Sequence, residues 1–235
     1  MRIIFLNTWC AKTGKVFFDY IASSSNSVDI FALTEIPPDL FSELKSLLPG
    51  FNGYYDEGLF DITMGVTYGQ AVFVRNNLDV KPLNRVFTFK NTPTDVGFAS
   101  PFIIKNNLGS FCLVNVHGKA KPGNKFDTPV RLKQSENIIE SIKDIRHPTI
   151  IGGDFNLYPN TKSVKMFEEA GYRNLIAGFG IKNTRNEISW KEFNKKQYFA
   201  DYVFTSPDVM VKSFEVPYVE ISDHLPLILE FEIRF

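Results

Sequence analysis

The chain has 235 residues, a length within the range of a single domain built on large sheets. Hydrophobic residues make up 44% of the chain and include 23 phenylalanines, so a large core is available and global disorder is excluded. Lysine plus arginine number 26, as do aspartate plus glutamate, so the formal net charge is zero and no long-range field attracts polyanions. We expect one domain over residues 1–235, in which any phosphate-binding surface is a local cluster.

The number of cysteines and the lengths of the apolar segments indicate the compartment in which the protein is found. Cys10 and Cys112 cannot form a disulfide framework for a domain of this size and do not have metal-ligand spacing. The apolar run from Ile3 to Leu6 is too short for a signal peptide. No segment reaches the ~20 apolar residues that a membrane span needs. We expect a cytoplasmic monomer with no obligate protein partner.

Apolar runs of strand length recur along the chain, separated by clusters of glycine, asparagine and proline. The turn "NNLG" predicts a hairpin between the fourth and the fifth run. Strands are predicted over residues 2–7, 28–34, 69–75, 102–105, 110–116, 149–152, 200–205, 209–214 and 225–233.

Three helices are predicted between these strands. The first covers "DLFSELKSLLPG", with Asp39 as its N-cap. The second begins at Pro129 and places Leu132 and three isoleucines on one broad face. The third ends with Gly171 as its C-terminal cap. Because the strands are joined both by helices and by short loops, we predict an α/β fold with two packed mixed β-sheets flanked by helices.

Side chains that can bind a metal ion or transfer a proton lie at the ends of the apolar runs. In "IIGGDFN", Asp154 and Asn156 point to the same face of an extended chain. If several strands end at a common edge, such groups converge into one cleft. The residues in question are Asn7, Glu35, His117, Asp154, Asn156, Asp201, Asp223 and His224.

Several carboxylates in one cleft predict a bound cation. Two carboxylates ~4 Å apart repel by about 1 kcal/mol in water and by about 4 kcal/mol at an effective dielectric constant of 20. Carboxylate and amide oxygens are hard donors, which select Mg²⁺, Mn²⁺ or Ca²⁺ over Zn²⁺. We expect Mg²⁺, with Mn²⁺ as a substitute. A zinc site of His117, His147, His224 and a cysteine does not have the short ligand spacings of structural zinc sites.

The ordered motifs "LNTW", "LTEI", "VNVHGK", "GGDFN", "FADYVF" and "SDHLPL" resemble the endonuclease/exonuclease/phosphatase superfamily of Mg²⁺-dependent hydrolases. The resemblance runs from Asn7 to His224 and implies a four-layer α/β sandwich, the DNase I-like fold. It also implies that Glu35 is the principal metal carboxylate, with Asn7 lining the same pocket and Asp223 as a further ligand. Trp9 follows Asn7 in a pattern closer to sphingomyelinase-like members than to abasic-site endonucleases.

The same resemblance implies catalytic roles for the remaining residues. Asp154 corresponds to the residue that orients and deprotonates the attacking water, with Asn156 as a donor beside it. His224, oriented by Asp201, corresponds to the histidine that contacts the scissile phosphate. His117 corresponds to a second histidine on the phosphate side.

Basic and aromatic residues near these motifs could contact a substrate. Lys119 and Arg185 are the candidates for binding substrate phosphates next to the hydrolysed bond. A solvated lysine loop is nevertheless the simpler interpretation of "HGKAKPGNK". Further lysines of this kind are Lys121, Lys125, Lys195 and Lys196, and the aromatic residues that could stack on a base are Trp9, Tyr68 and Trp190.

Three functions stay open at this point. The leading one is a nuclease that acts on a phosphodiester of DNA or RNA. The second is a phosphodiesterase or phosphatase of a small phosphoester or phospholipid headgroup, suggested by "NTW" and by the absence of a strong basic stripe. The third, a catalytically silent binding protein on the same fold, is disfavoured because none of the expected catalytic groups is missing.

Overall fold

A computed structural model describes residues 1–62, 65–67, 69–107, 109–193 and 196–233 of the chain. Over these residues the chain forms two six-stranded sheets, one two-stranded ribbon and six α-helices. The strands are β1 (Arg2–Asn7), β2 (Ile30–Ile36), β3 (Phe51–Asp56), β4 (Phe60–Asp61), β5 (Val66–Thr67), β6 (Gly69–Arg75), β7 (Asp79–Pro82), β8 (Ala99–Asn106), β9 (Gly109–His117), β10 (Thr149–Asp154), β11 (Arg173–Asn174), β12 (Asp201–Thr205), β13 (Val209–Glu215) and β14 (Leu227–Ile233). The helices are α1 (Lys15–Ser24), α2 (Pro38–Leu47), α3 (Pro129–Ile142), α4 (Lys162–Glu169), α5 (Leu175–Gly178) and α6 (Glu187–Phe193).

Both large sheets are mixed. The first has the strand order β13-β14-β1-β2-β6-β3 and the second has the order β11-β12-β10-β9-β8-β7. Each contains one central parallel pair, β1 with β2 and β9 with β10, whereas the other pairs are antiparallel. A helix lies in the crossover of each parallel pair, α1 in one and α3 in the other, as parallel pairing requires. The predicted pair of mixed sheets with helices is confirmed, and so is the β8–β9 hairpin.

Alternating side chains of the strands build the layers. Ile3 and Phe5 of β1 pack in a core cluster that includes residues of the second sheet. Ile4 and Leu6 pack in a separate cluster that holds the buried residues of α1 and α2. The period of two along a strand therefore gives β1 one face toward the other sheet and one face toward helices.

Two glycines allow close packing at the end of β10, one against the other sheet and one against the neighbouring strand β9. A Cβ atom on Gly152 would lie 2.5 Å from Cε1 of Phe5, so the ring rests directly on the glycine. Gly153 has φ 130°, and a Cβ atom there would lie 2.2 Å from the carbonyl oxygen of Val116. The "IIGGDFN" segment can thus bring Asp154 against the end of β1 in the other sheet.

Two helices differ in detail from the prediction. The N-cap of α2 is Pro37, and Asp39 lies in the first turn, so the predicted Asp39 cap is wrong. The fixed φ of proline suits the start of a helix, which explains the earlier start. Helix α3 begins at Pro129 as predicted, but Leu132 is only half-buried while Arg131 is fully buried. The reason is that Arg131 hydrogen-bonds the loop that precedes the helix.

Helix α4 ends as predicted, because Gly171 has φ 89° just beyond it. None of the helices in the described part of the chain combines the length and the apolar content that crossing a bilayer requires.

Candidate active site

Strands from both sheets end at one place and bring their last polar side chains together. β1 and β2 of the first sheet supply Asn7 and Glu35, and β9 and β10 of the second supply His117 and Asp154. Asn7 Nδ2 donates to Glu35 Oε1 at 2.9 Å and to Asp154 Oδ2 at 3.0 Å. One amide therefore links carboxylates that belong to different sheets.

Glu35 sits on an irregularity of β2. Its φ is 56°, and the β2–β6 register shifts between Thr34 and Ile36. Burial raises the pKa of the Glu35 carboxyl, while the imidazole of His117, whose Nε2 lies 3.6 Å from Glu35 Oε1, acts in the opposite direction. The Glu35 side chain is 18% exposed, so it forms the accessible side of the cluster.

Asp154 lies at the centre of the cluster. In the second sheet it is directly opposite His117 on one side and Asp201 on the other. Its Oδ2 is 4.0 Å from Nε2 of His117 and 3.7 Å from Nε2 of His224. Burial alone would raise the pKa of Asp154, but the cationic groups around it, first among them His224, lower it to about 2. The carboxyl group is therefore ionised at neutral pH.

His224 and Asp201 form a buried pair. Nδ1 of His224 lies 2.9 Å from both carboxylate oxygens of Asp201, and Thr184 Oγ1 donates to Asp201 Oδ2 at 2.8 Å. Burial alone would lower the pKa of the His224 imidazole, but Asp201 and the neighbouring carboxylates outweigh burial and raise it to about 9. His224 is thus protonated at neutral pH, with Nε2 facing Asp154.

The carboxylate of Asp223 forms an ion pair with the guanidinium group of Arg185. Arg185 Nη2 lies 2.5 Å from Asp223 Oδ2, and both side chains are buried. Arg185 Nη1 also donates to Gln197 Oε1 at 3.0 Å. Asp223, expected from the resemblance to ligate a metal, therefore forms an ion pair beside His224, and its Oδ1 lies 3.9 Å from His224 Nε2.

Two groups of residues within the described ranges have ligand atoms that all lie within 4.8 Å of one another. One consists of Glu35, His117 and Asp154, and the other of Asp154, Asp201 and His224. The first group fits Mg²⁺ or Mn²⁺, because it offers two carboxylates, one of them ionised and centrally placed. Asn7 lies against both carboxylates through its Nδ2, while its Oδ1 accepts a hydrogen bond from the Trp9 backbone at 3.0 Å.

The zinc alternative is not assembled by the fold. His147 is exposed, and its Nδ1 lies 3.1 Å from the hydroxyl of Ser110. It belongs to neither group of clustered ligands in the described part of the chain. Cys112 is buried in the core that the two sheets share.

The lysine-rich loop after His117 is less solvated than its sequence suggests. Lys119 forms an ion pair with the buried Asp95 and lies 4.9 Å from the ring centre of Phe89. Lys125 is buried and donates a hydrogen bond to Asn156. The interpretation as a solvated loop is therefore wrong for Lys125.

The remaining substrate-contact candidates lie in several places. Lys121 and Lys196 are exposed, whereas Trp9 and Trp190 are half-buried. The Trp190 indole donates to the carbonyl oxygen of Gln197 at 3.1 Å. Tyr68 and Lys195 lie outside the described residues.

Two residues that hold the site in place, Thr184 and Ser222, were not predicted as site residues. Thr184 accepts hydrogen bonds from the Ala200 backbone at 3.0 Å while donating to Asp201, and Ser222 donates to the carbonyl oxygen of Asn7 at 2.7 Å. Isolated serine and threonine residues are common in loops, so only the "NTRN" and "SDH" contexts could have pointed to them.

One protein family matches the chain over most of its length. The sequence model described as the endonuclease/exonuclease/phosphatase family matches residues 6–224. No curated protein sequence matches the chain. Among solved structures, the chain is similar to an endonuclease/exonuclease/phosphatase from Bacteroides vulgatus, with a TM-score of 0.75, 20% identity, and coverage of 99% of this chain and 98% of that chain.

Two further solved structures are similar over nearly the whole chain. The catalytic domain of human Nocturnin with a bound sulfate anion has a TM-score of 0.74 and 21% identity, and the alignment covers 100% of this chain and 93% of that chain. A mannosyl-6-phosphatase from Bacteroides thetaiotaomicron has a TM-score of 0.71 and 18% identity, with coverage of 99% of this chain and 100% of that chain. At such identities the likeness establishes the shared fold.

Proposed function

Because the chain belongs to the endonuclease/exonuclease/phosphatase family, whose members hydrolyse phosphoester bonds, we propose that it is a Mg²⁺-dependent phosphodiesterase using in-line attack by water. One observation carries the proposal. The ionised Asp154 lies between two histidines and is tied through Asn7 to Glu35, so a carboxylate base, two imidazole groups and metal ligands surround one point.

The metal would be held by Glu35 and Asp154, with His117 and Asn7 beside them. We propose Mg²⁺, because carboxylate oxygens are its preferred protein ligands, and Mn²⁺ is the closest substitute. When bound, such a cation neutralises charge on the phosphoryl oxygens and lowers the pKa of a water molecule. Asp223 is the weaker candidate as a ligand, since its Oδ2 contacts Arg185 at 2.5 Å.

Asp154 is proposed to orient the attacking water and to receive its proton. A carboxyl group with a pKa of about 2 is a weak base, so orientation of the water is the larger part of this role. The backbone N–H of Asn156 donates to Asp154 Oδ1 at 2.8 Å and fixes the carboxylate, which leaves Oδ2 facing the histidines.

His224 is proposed to donate from Nε2 to a phosphoryl oxygen as negative charge develops in the transition state. Its pKa of about 9 keeps the imidazole protonated, and Asp201 holds the Nδ1 side. His117 lies on the opposite side of Asp154 and is proposed to contact the phosphate or the leaving oxygen.

We propose a nucleic acid, DNA or RNA, as the first substrate class. A small phosphoester or phospholipid headgroup is the second, and one observation favours it. Three basic side chains near the site are engaged inside the protein, Lys119 by Asp95, Lys125 by Asn156 and Arg185 by Asp223, which limits the charge available for flanking phosphates.

A substrate panel tests both the reaction and the substrate. The protein, stripped with EDTA, is supplied with Mg²⁺, Mn²⁺ or no metal and incubated with plasmid DNA, single-stranded RNA, bis-p-nitrophenyl phosphate, p-nitrophenyl phosphate and sphingomyelin vesicles. We expect hydrolysis only with added metal. Cleavage of the small esters or the lipid alone removes the nuclease assignment, and full activity in EDTA removes the metal.

An Asp154→Asn variant supplies the matched inactive protein. We expect its turnover to fall by at least ~100-fold, because positioned acid–base groups typically contribute ~10²- to 10⁴-fold. Its far-UV circular dichroism should match that of the wild type. The control is Asp208→Asn, which makes the same change at an exposed turn and should keep full activity. Equal activity of all three proteins would remove Asp154 from the mechanism.

A further inference from the structure

Lys125 is a buried lysine that belongs to none of the recognised motifs. It is 4% exposed, and its φ of 59° lies in the left-handed region that non-glycine residues rarely adopt. Burial lowers its pKa to about 8, an effect that Arg185 reinforces and Asp154 opposes. A buried ammonium on a costly backbone conformation is retained only where the surrounding structure holds it.

The loop that carries Lys125 is held in several ways. The Tyr158 backbone N–H donates to the carbonyl oxygen of Lys125 at 2.9 Å, and Gln197 Nε2 donates to that of Gly123 at 2.7 Å. The fully buried guanidinium of Arg131 donates to backbone carbonyl groups along the whole loop. The carbonyl groups it contacts are those of Lys119, Ala120, Pro122 and Phe126.

The ammonium of Lys125 meets one end of the Asn156 amide. Lys125 Nζ donates to Asn156 Oδ1, and Asn156 Nδ2 donates to the carbonyl oxygen of Gly118 at 3.2 Å. An ammonium group can only donate and a carbonyl group can only accept, so these two contacts permit one orientation of the amide. The flipped amide would place its NH₂ group against the ammonium and its oxygen against another oxygen.

We propose that Lys125 is a positioning residue of the hydrolytic site, which locks the Asn156 amide so that Nδ2 is its donor end toward a phosphoryl oxygen. The role rests on the proposed phosphoesterase function. The Nδ2 group has two protons, and Gly118 uses one of them, so the other is available to a substrate. Lys125 acts through Asn156 and need not touch the substrate itself.

The first part of the test replaces Lys125 by methionine, whose unbranched side chain is one atom shorter and cannot donate a hydrogen bond. With the panel substrate that the wild type cleaves fastest, in Mg²⁺, we expect kcat to fall about 10- to 100-fold, the equivalent of one charge-assisted hydrogen bond. We expect KM to change less than about threefold, because the lost contact belongs to the transition state. Lys165→Met, which removes an exposed lysine of α4, controls for the lost positive charge.

The second part is a double-mutant cycle with Asn156→Ala. If Lys125 acts through Asn156, Lys125→Met in the Asn156→Ala background should change kcat by less than about twofold, whereas a general structural role would give multiplied losses. Thermal unfolding of each variant establishes that it is folded. Should Lys125→Met not fold, Lys125→Gln replaces it in the same double-mutant cycle. Glutamine keeps a neutral N–H donor, so kcat should fall less than in a variant that has no hydrogen-bond donor at position 125.

The outcomes separate the two proposals. A wild type that cleaves nothing in the panel overturns the proposed function, and the role of Lys125 with it. An active wild type with an equally active Lys125→Met variant overturns the role of Lys125 alone. Losses that multiply in the double variant also overturn it.

Discussion

At the scale of single residues, the protonation of His224 depends on Asp201. The pair is buried, and the pKa of His224 rises from an ordinary 6.5 to about 9. A histidine whose pKa is raised by folding stabilises the folded state fully below pH 6.5, and this contribution is lost as the pH rises to about 9.

Asp201→Asn should therefore destabilise the protein most at low pH. We expect the difference in unfolding free energy between the wild type and this variant to be largest near pH 6 and to shrink toward pH 9, since the proton on His224 is lost over that range. Urea denaturation at several pH values measures it. Asp208→Asn is the control and should show no such trend. A difference that stays constant with pH would mean that the pair does not hold the proton.

The residues of the site differ in how far the sequence reveals them. Asp154 and Asn156 stand out because a continuous apolar strand ends on them, and Asn7 and Glu35 stand out for the same reason. Lys125 does not, because a lysine in a loop rich in glycine and proline is usually solvated. Its burial depends on contacts with distant segments, which no local pattern reports.

At the scale of elements, non-glycine residues with positive φ concentrate beside the site. A left-handed conformation costs an L-residue about 1 to 2 kcal/mol, so these positions lower the stability of the fold. Three of them form the turn that directly follows the end of β1. In the described part of the chain they are Trp9, Cys10, Ala11, Glu35, Lys125 and Asn156.

A glycine elsewhere tests this cost in isolation. Gly171 has φ 89°, and no atom lies within 4 Å of the position that a Cβ atom would occupy there, so Gly171→Ala adds only conformational strain. We expect it to lose about 1 kcal/mol of unfolding free energy in urea. Gly178→Ala, also without a close neighbour but at the end of α5, should be neutral or slightly stabilising. Equal effects of the two substitutions would contradict the assignment of Gly171 as a left-handed cap.

Elements with a strong local pattern were predictable, and weaker ones were not. β1 and β6 begin and end at the predicted residues, because their apolar runs are continuous. β3 was missed, since "FNGYYD" contains asparagine and glycine and only its first residue is buried. Helix α1 was missed because aromatic and β-branched residues weaken its helical pattern and Gly14 precedes it without a capping side chain.

At the scale of the whole molecule, the site depends on the distance between the two sheets. Asn7 Nδ2 and Asp154 Oδ2 are 3.0 Å apart across that interface, and Phe5 on Gly152 sets the local spacing. The residue types at the site were predictable, but this spacing was not, because it arises from a pair of residues far apart in the sequence.

Gly152→Ala should force the sheets apart at this point. We expect it to lose about 1 to 3 kcal/mol of unfolding free energy, as overpacked cores do, and to lower activity because the Asn7 to Asp154 contact lengthens. Phe5→Leu in the same chain should recover part of both losses, since a smaller side chain makes room for the methyl group. Denaturation and activity measurements on the two single variants and the double variant test this coupling. Losses that simply add would show that the ring and the glycine are energetically independent.

The pairing of β1 with β14 has a consequence for biosynthesis. Arg2 lies opposite Glu230, so the first sheet is completed by segments from nearly opposite ends of this sequence, with the second sheet made in between. A ribosome translating the chain exposes Asn7, Glu35 and Asp154 well before it exposes His224. A nascent chain therefore carries only part of the proposed active site, and we expect hydrolytic activity to arise only after β14 has left the exit tunnel and paired with β1.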